Sequence, residues 1–375
     1  MKASSKISSA TLTAQQLNRA TLARQLLLAR ETRTVVSVVE QLAGMQAQLA
    51  RPPFAGLWSR IENFKRQSLL DALHARSVVR VTAMRGTLHF LSAADYVSLR
   101  GALQPSLDRG IQMVRERVKG LDFEKMHAEA RAFFGKQTGT FDSLRIHFKT
   151  LYPEADERAM AYVIRMMLPL VLVPTPATWG FPAAADFAMA DDWLKTAIST
   201  QTTPAHALVR RYLAAFGPAT PADAQTWSGL QGLKAVFEDL RPELVTFRDE
   251  NKKELFDLPD APRPAEDTPA PVRFLPEFDN LVLAHADRSR LVADEHRGRI
   301  VTKNLQVRAT FLVDGRVAGT WTVESKKKAA VLVLEPFAPL AKKTLAALEP
   351  EALALLRFVE DKASGYSVEV RAEVS

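Results

Sequence analysis

The sequence contains no cysteine, which excludes disulfides and thiolate metal sites. Its seven histidines show no paired spacing such as H-x-x-x-H, so we expect neither a metal ion nor another cofactor. The longest apolar run, MMLPLVLVP, is much shorter than the roughly 20 residues of a membrane span, and the N-terminus lacks the apolar core of a signal peptide. We therefore expect a cytoplasmic protein that does not bind membranes.

Several motifs of enzyme chemistry are also missing. There is no Walker loop, no G-x-G-x-x-G motif after a strand, and no nucleophile elbow. These absences leave little basis for nucleotide hydrolysis or acyl transfer.

The positive charge is concentrated at one end of the chain. The 375 residues carry a formal net charge of +8, and residues 1–120 alone hold 18 basic and 7 acidic side chains. Such an excess suits a polyanion such as nucleic acid. A basic surface that serves only solubility explains it equally well.

Three successive segments, 10–120, 121–200 and 201–258, share one order of elements: short helices followed by two strands joined by a turn. The sequence places Thr13, Ser92 and Thr220 where helix N-caps are expected. Helix, turn, helix and β-hairpin is the winged-helix arrangement, which binds DNA in many proteins and binds other proteins elsewhere.

Five prolines in residues 259–272 indicate a linker. Beyond it, residues 273–375 alternate like strands, with Asp314-Gly315 as a tight hairpin turn and one long helix. The predicted fold is therefore α+β, with three tandem winged-helix motifs and a C-terminal β-rich domain, which is a small sheet or barrel-like, with one helix against it.

The stretch GMQAQLARPP, residues 44–53, interrupts the helical N-terminal region. Gly44 is suited to end the preceding helix, and Pro52 is expected to keep Arg51 out of helical conformation. Residues two apart share a side in an extended segment, which would allow Gln46 and Gln48 to face one cleft. Two exposed glutamines in a loop are also ordinary.

Two further polar motifs lie near the start of the C-terminal domain. EFDN contains Glu277 and Asp279, and HADRSR contains His285 and Asp287 with two arginines. These groups could form a polar site, but more often such residues join loops by salt bridges and capping, and we favour that interpretation.

Together these motifs resemble the bacterial winged-helix DNA glycosylase superfamily typified by AlkZ and YcaQ. The similarity spans nearly the whole chain and is carried, in order, by GMQAQ, RGTLHFLSAADY, FGPATPADAQTWSGL, LPEFDNLVLAHADRSR and FLVDGRVAGTW. It implies three winged helices in a C-shaped arrangement whose positively charged concave surface holds duplex DNA. It also implies monofunctional hydrolysis of the N-glycosidic bond of N7-alkylated purines, including bulky or interstrand-crosslinked adducts.

The superfamily's catalytic motif is glutamine, an apolar residue, then glutamine or aspartate. It falls on Gln46, Ala47 and Gln48, which is similar to the AlkZ-like branch. An N7-alkylated purine is cationic and leaves without an acid, so the demanding step is to position water at C1′. Our hypothesis is that Gln48 positions this water and that Gln46 helps to hold the lesion or the water.

The basic residues nearest the motif are Arg51, Arg80 and Arg85. We expect them to contact DNA because of this proximity, although each could equally serve as a surface salt-bridge partner. The expected enzyme is a monomer that acts on double-stranded DNA containing an alkylated purine. The alternative is a non-catalytic winged-helix DNA-binding protein such as a transcriptional regulator, which usually binds as a dimer.

Overall fold

The computed structural model describes residues 7–302, 304–326 and 329–371. Its helices alternate with short strands along most of the chain. In chain order the helices are α1 Ala14–Arg24, α2 Val35–Gln41, α3 Pro52–Trp58, α4 Arg66–His74, α5 Ala93–Met113, α6 Phe123–Lys136, α7 Phe141–Leu151, α8 Glu157–Met167, α9 Ala190–Leu194, α10 His206–Phe216, α11 Pro221–Ser228, α12 Leu233–Leu240, α13 Arg297–Ile300 and α14 Lys342–Val359.

The described strands form three sheets. In chain order they are β1 Ile7–Leu12, β2 Met45–Gln46, β3 Val78–Thr82, β4 Leu88–Ser92, β5 Leu170–Leu172, β6 Phe187–Met189, β7 Val245–Asp249, β8 Glu254–Asp257, β9 Arg273–Leu275, β10 Thr310–Val313, β11 Arg316–Lys326, β12 Ala329–Pro336 and β13 Gly365–Val370. The mixture of helices and sheets agrees with the predicted α+β class.

The predicted helix N-caps are confirmed. Thr13 and Thr220 each form a capping box, in which the hydroxyl accepts from the third helical N–H and that residue's side chain accepts from the cap N–H. The Ser92 hydroxyl accepts from the Asp95 N–H and starts α5. Local sequence therefore determines where these helices begin.

The first two predicted hairpins share a single antiparallel sheet with strand order β2-β4-β3-β5-β6. The junction is the pairing of Arg80 with Leu172 and of Val81 with Val171. One face of this sheet packs on the cluster that contains Trp227, and the other packs on the cluster that contains Phe54. The two segments therefore hold each other in place.

The third hairpin, β7 and β8, is extended by an N-terminal strand that the sequence did not predict. Strand β1 pairs in parallel with β7. Next to this sheet, Arg24 of α1 donates to both carboxylate oxygens of Asp257, at 2.7 and 2.8 Å, and both side chains are fully buried. This ion pair joins the start of the chain to the third hairpin.

The proline-rich segment 259–272 lies against α1. Arg19 donates to the Thr268 carbonyl at 2.7 Å, Arg24 donates to the Pro262 carbonyl, and Thr13 donates to the Glu266 carboxylate. The proline-rich segment thus connects the third hairpin to the C-terminal sheet and packs against α1 along the way.

The C-terminal sheet has the order β13-β12-β11-β10-β9. In the part of the chain that the structure describes, β13 and β9 do not pair with each other, so the sheet is open and the expected barrel-like closure is wrong. Helix α14 packs on this sheet through buried leucines and covers one of its faces. Asp314 and Gly315 form the predicted turn, both with positive φ.

Candidate active site

The segment 44–53 leaves α2 through two residues in left-handed conformation, Ala43 at φ 52° and Gly44 at φ 90°. A Cβ atom at Gly44 would lie 2.5 Å from Cδ2 of Leu91 and 3.1 Å from the carbonyl oxygen of Phe90. Glycine is therefore required both by the conformation and by the space. As predicted, it ends the helical segment.

Beyond Gly44 the chain is extended and joins the edge of the central sheet. Gln46 pairs with His89 of β4, and the Ala47 N–H donates to the Leu88 carbonyl at 2.7 Å. The extended part ends there. Arg51, immediately before Pro52, has helical φ and ψ of −72° and −46°, so our expectation that Pro52 excludes helical conformation there is wrong. Two prolines fit the first turn of α3, where N–H groups need no partner.

Gln46 is buried, and its side-chain oxygen is held by Arg85. The Arg85 guanidinium donates to Oε1 of Gln46 at 2.8 Å, to the Trp227 carbonyl, and to Oδ1 of Asn280 at 3.2 Å. Arginine has only donors, so the amide oxygen of Gln46 must face it. The amide NH₂ group of Gln46 is then the group left for a ligand.

Arg85 reaches this position because the β3–β4 turn folds inward. Its φ is 56°, in the left-handed region that non-glycine residues rarely adopt. Burial and the nearby Arg288 lower the pKa of Arg85 to about 10, which leaves it charged at neutral pH. The turn of the first hairpin therefore supports Gln46 from within the protein.

The EFDN motif completes this support. Both carboxylate oxygens of Asp279 accept from Arg60, at 2.9 and 3.0 Å, and both side chains are buried. Asn280 donates to the Gly44 carbonyl at 3.3 Å and accepts from Arg85. At Asp279 the structural interpretation of this motif is confirmed.

Gln48 lies in a different environment from Gln46. Its side chain is exposed, and its Oε1 accepts from the Leu88 N–H over a long 3.4 Å. It lines an open groove of about 400 Å³ together with Leu49 and Phe181. Gln46 instead lines a narrow cleft. The two amides do not face one cavity, because β2 ends at Gln46 and the strand alternation ends with it.

Arg80 lies beneath the motif. It donates to the carbonyl oxygens of Ala47 and Gln48, at 2.9 and 3.0 Å, and its guanidinium stacks on Phe181. Burial lowers the pKa of Arg80 to about 10. These contacts fix the backbone that carries both glutamines.

Arg51 lies at the far end of the motif. It donates to the Glu360 carboxylate at 2.6 Å and lies over the Trp179 ring. Arg51, Arg80 and Arg85 thus all have partners within the protein, and DNA contact at each of them remains a prediction.

His89 faces the same side of the sheet as Gln46 and is fully buried. Its Nδ1 lies 3.1 Å from the Thr87 carbonyl, and the Asn280 side chain lies beside the ring. Burial, with a further contribution from Arg85, lowers the pKa of His89 to about 3. The ring is therefore neutral, and a neutral ring that donates through Nδ1 keeps a lone pair on Nε2.

Sequence reasoning missed the roles of His89, Arg60 and Asn280. A two-residue strand is too short for a periodic pattern, so nothing local pairs Gln46 with His89. Among the described residues, no group of three or more His, Asp or Glu side chains is arranged to hold a metal ion. Likewise, no described helix is both long and apolar enough to cross a membrane.

Comparisons with known proteins assign the family. Residues 39–358 match the family described as DNA glycosylase AlkZ-like. An interstrand DNA cross-link repair glycosylase from Streptomyces sahachiroi is 27% identical over 359 residues, which is 89% of this chain and 93% of that protein. The solved structure of Streptomyces sahachiroi DNA glycosylase AlkZ has a TM-score of 0.79 at 20% identity, covering 96% of this chain and all of that one. The chain belongs to the AlkZ-like DNA glycosylase family, and its enzyme class is DNA glycosylase.

Proposed function

We propose that this DNA glycosylase hydrolyses the N-glycosidic bond of N7-alkylated purines in duplex DNA and leaves an abasic site. The observation that carries the proposal is the anchored amide of Gln46, which Arg85 orients at 2.8 Å. A relative is an interstrand DNA cross-link repair glycosylase, and we extend the proposed substrates to bulky and crosslinked adducts on that basis.

Two neutral amides suit a leaving group that is already activated. Alkylation at N7 makes the purine cationic, so the C1′–N9 bond can break without protonation of the base. An amide oxygen can accept a hydrogen bond from water and orient it toward C1′, but it is a poor proton acceptor. We assign water positioning to Gln48, whose oxygen has only the long bond to Leu88. The Gln46 NH₂ group, which lines the separate narrow cleft, holds the lesion.

The expected binding surface follows from the arrangement of the three winged-helix motifs. We propose that they form a C-shaped concave surface that holds the duplex, and that the enzyme works as a cytoplasmic monomer. The Arg51 side chain is 41% exposed, and its partner Glu360 is partly exposed as well. A phosphate can replace such a carboxylate as the partner of a guanidinium.

The test uses duplex DNA that contains N7-methylguanine, followed by alkali to reveal abasic sites. The wild-type protein should release the base, and Gln46→Ala and Gln48→Ala should each slow release at least about tenfold, within the range for a positioned catalytic group. Gln112→Ala, an exposed glutamine on α5, is the matched control and should not differ from wild type.

Tight DNA binding without release of this or any bulkier N7 adduct would support the alternative, a non-catalytic regulator. Release that survives both substitutions would leave the enzyme class intact and refute the two assigned residues.

A further inference from the structure

The acidic residue Glu277 also lines the narrow cleft beside Gln46. The cleft has a volume of about 10 Å³, which is close to the space needed by one water molecule, and Asn280 and Pro53 also line it. The Glu277 side chain is exposed. Within the described ranges its side chain has neither an ion-pair partner nor a hydrogen-bonding partner. Asp279, two residues further along the chain, has several such partners.

The contrast with that aspartate separates the two acidic groups of the EFDN motif. Asp279 is buried, accepts two hydrogen bonds from Arg60, and accepts a third from the Leu281 N–H at 3.0 Å. Its carboxylate is therefore bound by groups within the protein, and these bonds hold the loop in place. Glu277 takes no part in that network, so the structural interpretation does not extend to it.

The backbone holds Glu277 rigidly at this place. Phe278 has a φ of 60°, a conformation that is strained for a bulky residue. It is buried, and its N–H donates to the Val307 carbonyl at 3.3 Å. Pro276 precedes Glu277 and is buried as well. Buried neighbours on both sides therefore fix the direction in which the Glu277 side chain leaves the loop.

We propose that Glu277 is the anionic catalytic residue of the glycosylase site. This inference rests on the proposed hydrolysis. When the C1′–N9 bond breaks, its electron pair leaves with the purine, which becomes neutral, and positive charge develops on C1′ and the ring oxygen. A carboxylate beside the cleft stabilises that charge. Water then forms the new C1′–O bond, and its proton is released to solvent.

An unpaired carboxylate in a DNA-binding site is otherwise unfavourable, because it repels the phosphates of the substrate. Neutralising it should therefore leave DNA binding unchanged or tighter while the reaction becomes slower. A merely structural role would not produce this opposite effect on binding and rate.

The decisive experiment compares Glu277→Gln with the wild type in single-turnover release of N7-methylguanine from duplex DNA. We expect the rate to fall by about a hundredfold, as for removal of a group that stabilises charge in the transition state, with no loss of DNA affinity. Glu349→Gln removes the same charge from an exposed position on α14 and should behave as wild type. Glu277→Asp should recover part of the rate, because it restores the charge.

Binding to abasic-site mimics gives a second measurement that needs no turnover. A duplex with a pyrrolidine mimic carries a positive charge where the sugar becomes cationic, whereas a tetrahydrofuran mimic is neutral. Wild type should prefer the pyrrolidine duplex, and Glu277→Gln should lose that preference while binding the tetrahydrofuran duplex equally well.

The outcomes separate the inference from the proposed function. If wild type and Glu277→Gln release the base equally fast, or if the variant keeps the preference for pyrrolidine, Glu277 is not the anionic group and the glycosylase proposal still stands. If wild type releases no alkylated base, the proposed function fails, and this inference fails with it.

Discussion

The guanidinium of Arg85 donates a hydrogen bond of 2.8 Å to the side-chain oxygen of Gln46, across 39 residues of sequence. The same guanidinium contacts the Trp227 carbonyl and Asn280. Three distant parts of the chain therefore meet at one guanidinium. Because Arg85 is held in place by these contacts and faces the oxygen of the Gln46 amide, the NH₂ group of that amide is the one available to a substrate.

Replacing Arg85 by lysine should leave the Gln46 amide without the group that orients it. A lysine keeps the charge but cannot reproduce the planar fork of donors that serves three acceptors. We expect Arg85→Lys to lower the single-turnover rate at least about tenfold without weakening DNA binding. Arg210→Lys, which alters an exposed arginine paired with Glu243, serves as the control. Weaker binding with a salt dependence reduced by about one charge would instead identify Arg85 as a phosphate contact.

Gly44→Ala should damage the site through the backbone. Gly120 provides a matched comparison, because its φ is 81° but no atom lies within 4 Å of an added Cβ. We expect Gly120→Ala to cost about 1 kcal/mol from conformation alone. Gly44→Ala should cost about 3 kcal/mol, because the clash with Leu91 and the Phe90 carbonyl adds to it. Urea unfolding measures the free energy of unfolding of both variants. Equal losses of stability would show that the atoms around Gly44 shift to accommodate the added Cβ.

Arg80 and Arg51 should differ in their effects on stability. Arg80→Met leaves one buried and one partly buried carbonyl oxygen without their donor and should destabilise by about 1–3 kcal/mol. Arg51→Met removes a partly exposed ion pair and should change stability by less than about 1 kcal/mol.

The effect on DNA binding should be larger for Arg51→Met than for Arg80→Met. If Arg51 contacts a phosphate, its variant binds all duplexes more weakly, with a lower salt dependence. Unchanged binding by Arg51→Met would refute that contact.

His89 should make stability depend on pH. Its pKa is about 3 in the folded protein because of burial and Arg85, and about 6.5 when unfolded. Below pH 6.5 the unfolded chain therefore binds a proton that the folded protein does not. The stabilisation is complete above pH 6.5 and is lost toward pH 3 at about 1.4 kcal/mol per pH unit.

The check compares unfolding free energies at pH 7.5 and pH 5.5 in wild type and His89→Gln. The loss on acidification should be about 1 kcal/mol smaller in the variant. His74→Gln, which changes an exposed histidine on α4, should show the wild-type loss. Identical losses in all three proteins would mean that the His89 ring becomes protonated without unfolding.

Local features of the sequence predicted much of the secondary structure. Thr13, Ser92 and Thr220 begin their helices as expected, since a cap is a contact between residues three apart. Asp314-Gly315 likewise forms its turn. The barrel-like closure was wrong because whether the outer strands meet depends on the sheet's twist and on the packing of α14.

The sequence by itself determined the family, the order of helices and hairpins, and the interruption of the N-terminal helices at Gly44. Tertiary structure alone decided that Gln46 is buried and Gln48 exposed, that Arg85 orients the first of them, and that Glu277 shares its cleft. Capping and chain reversal act within a few residues. Side chains 39 to more than 200 residues apart, in contrast, meet only after the sheets have paired and their faces are buried.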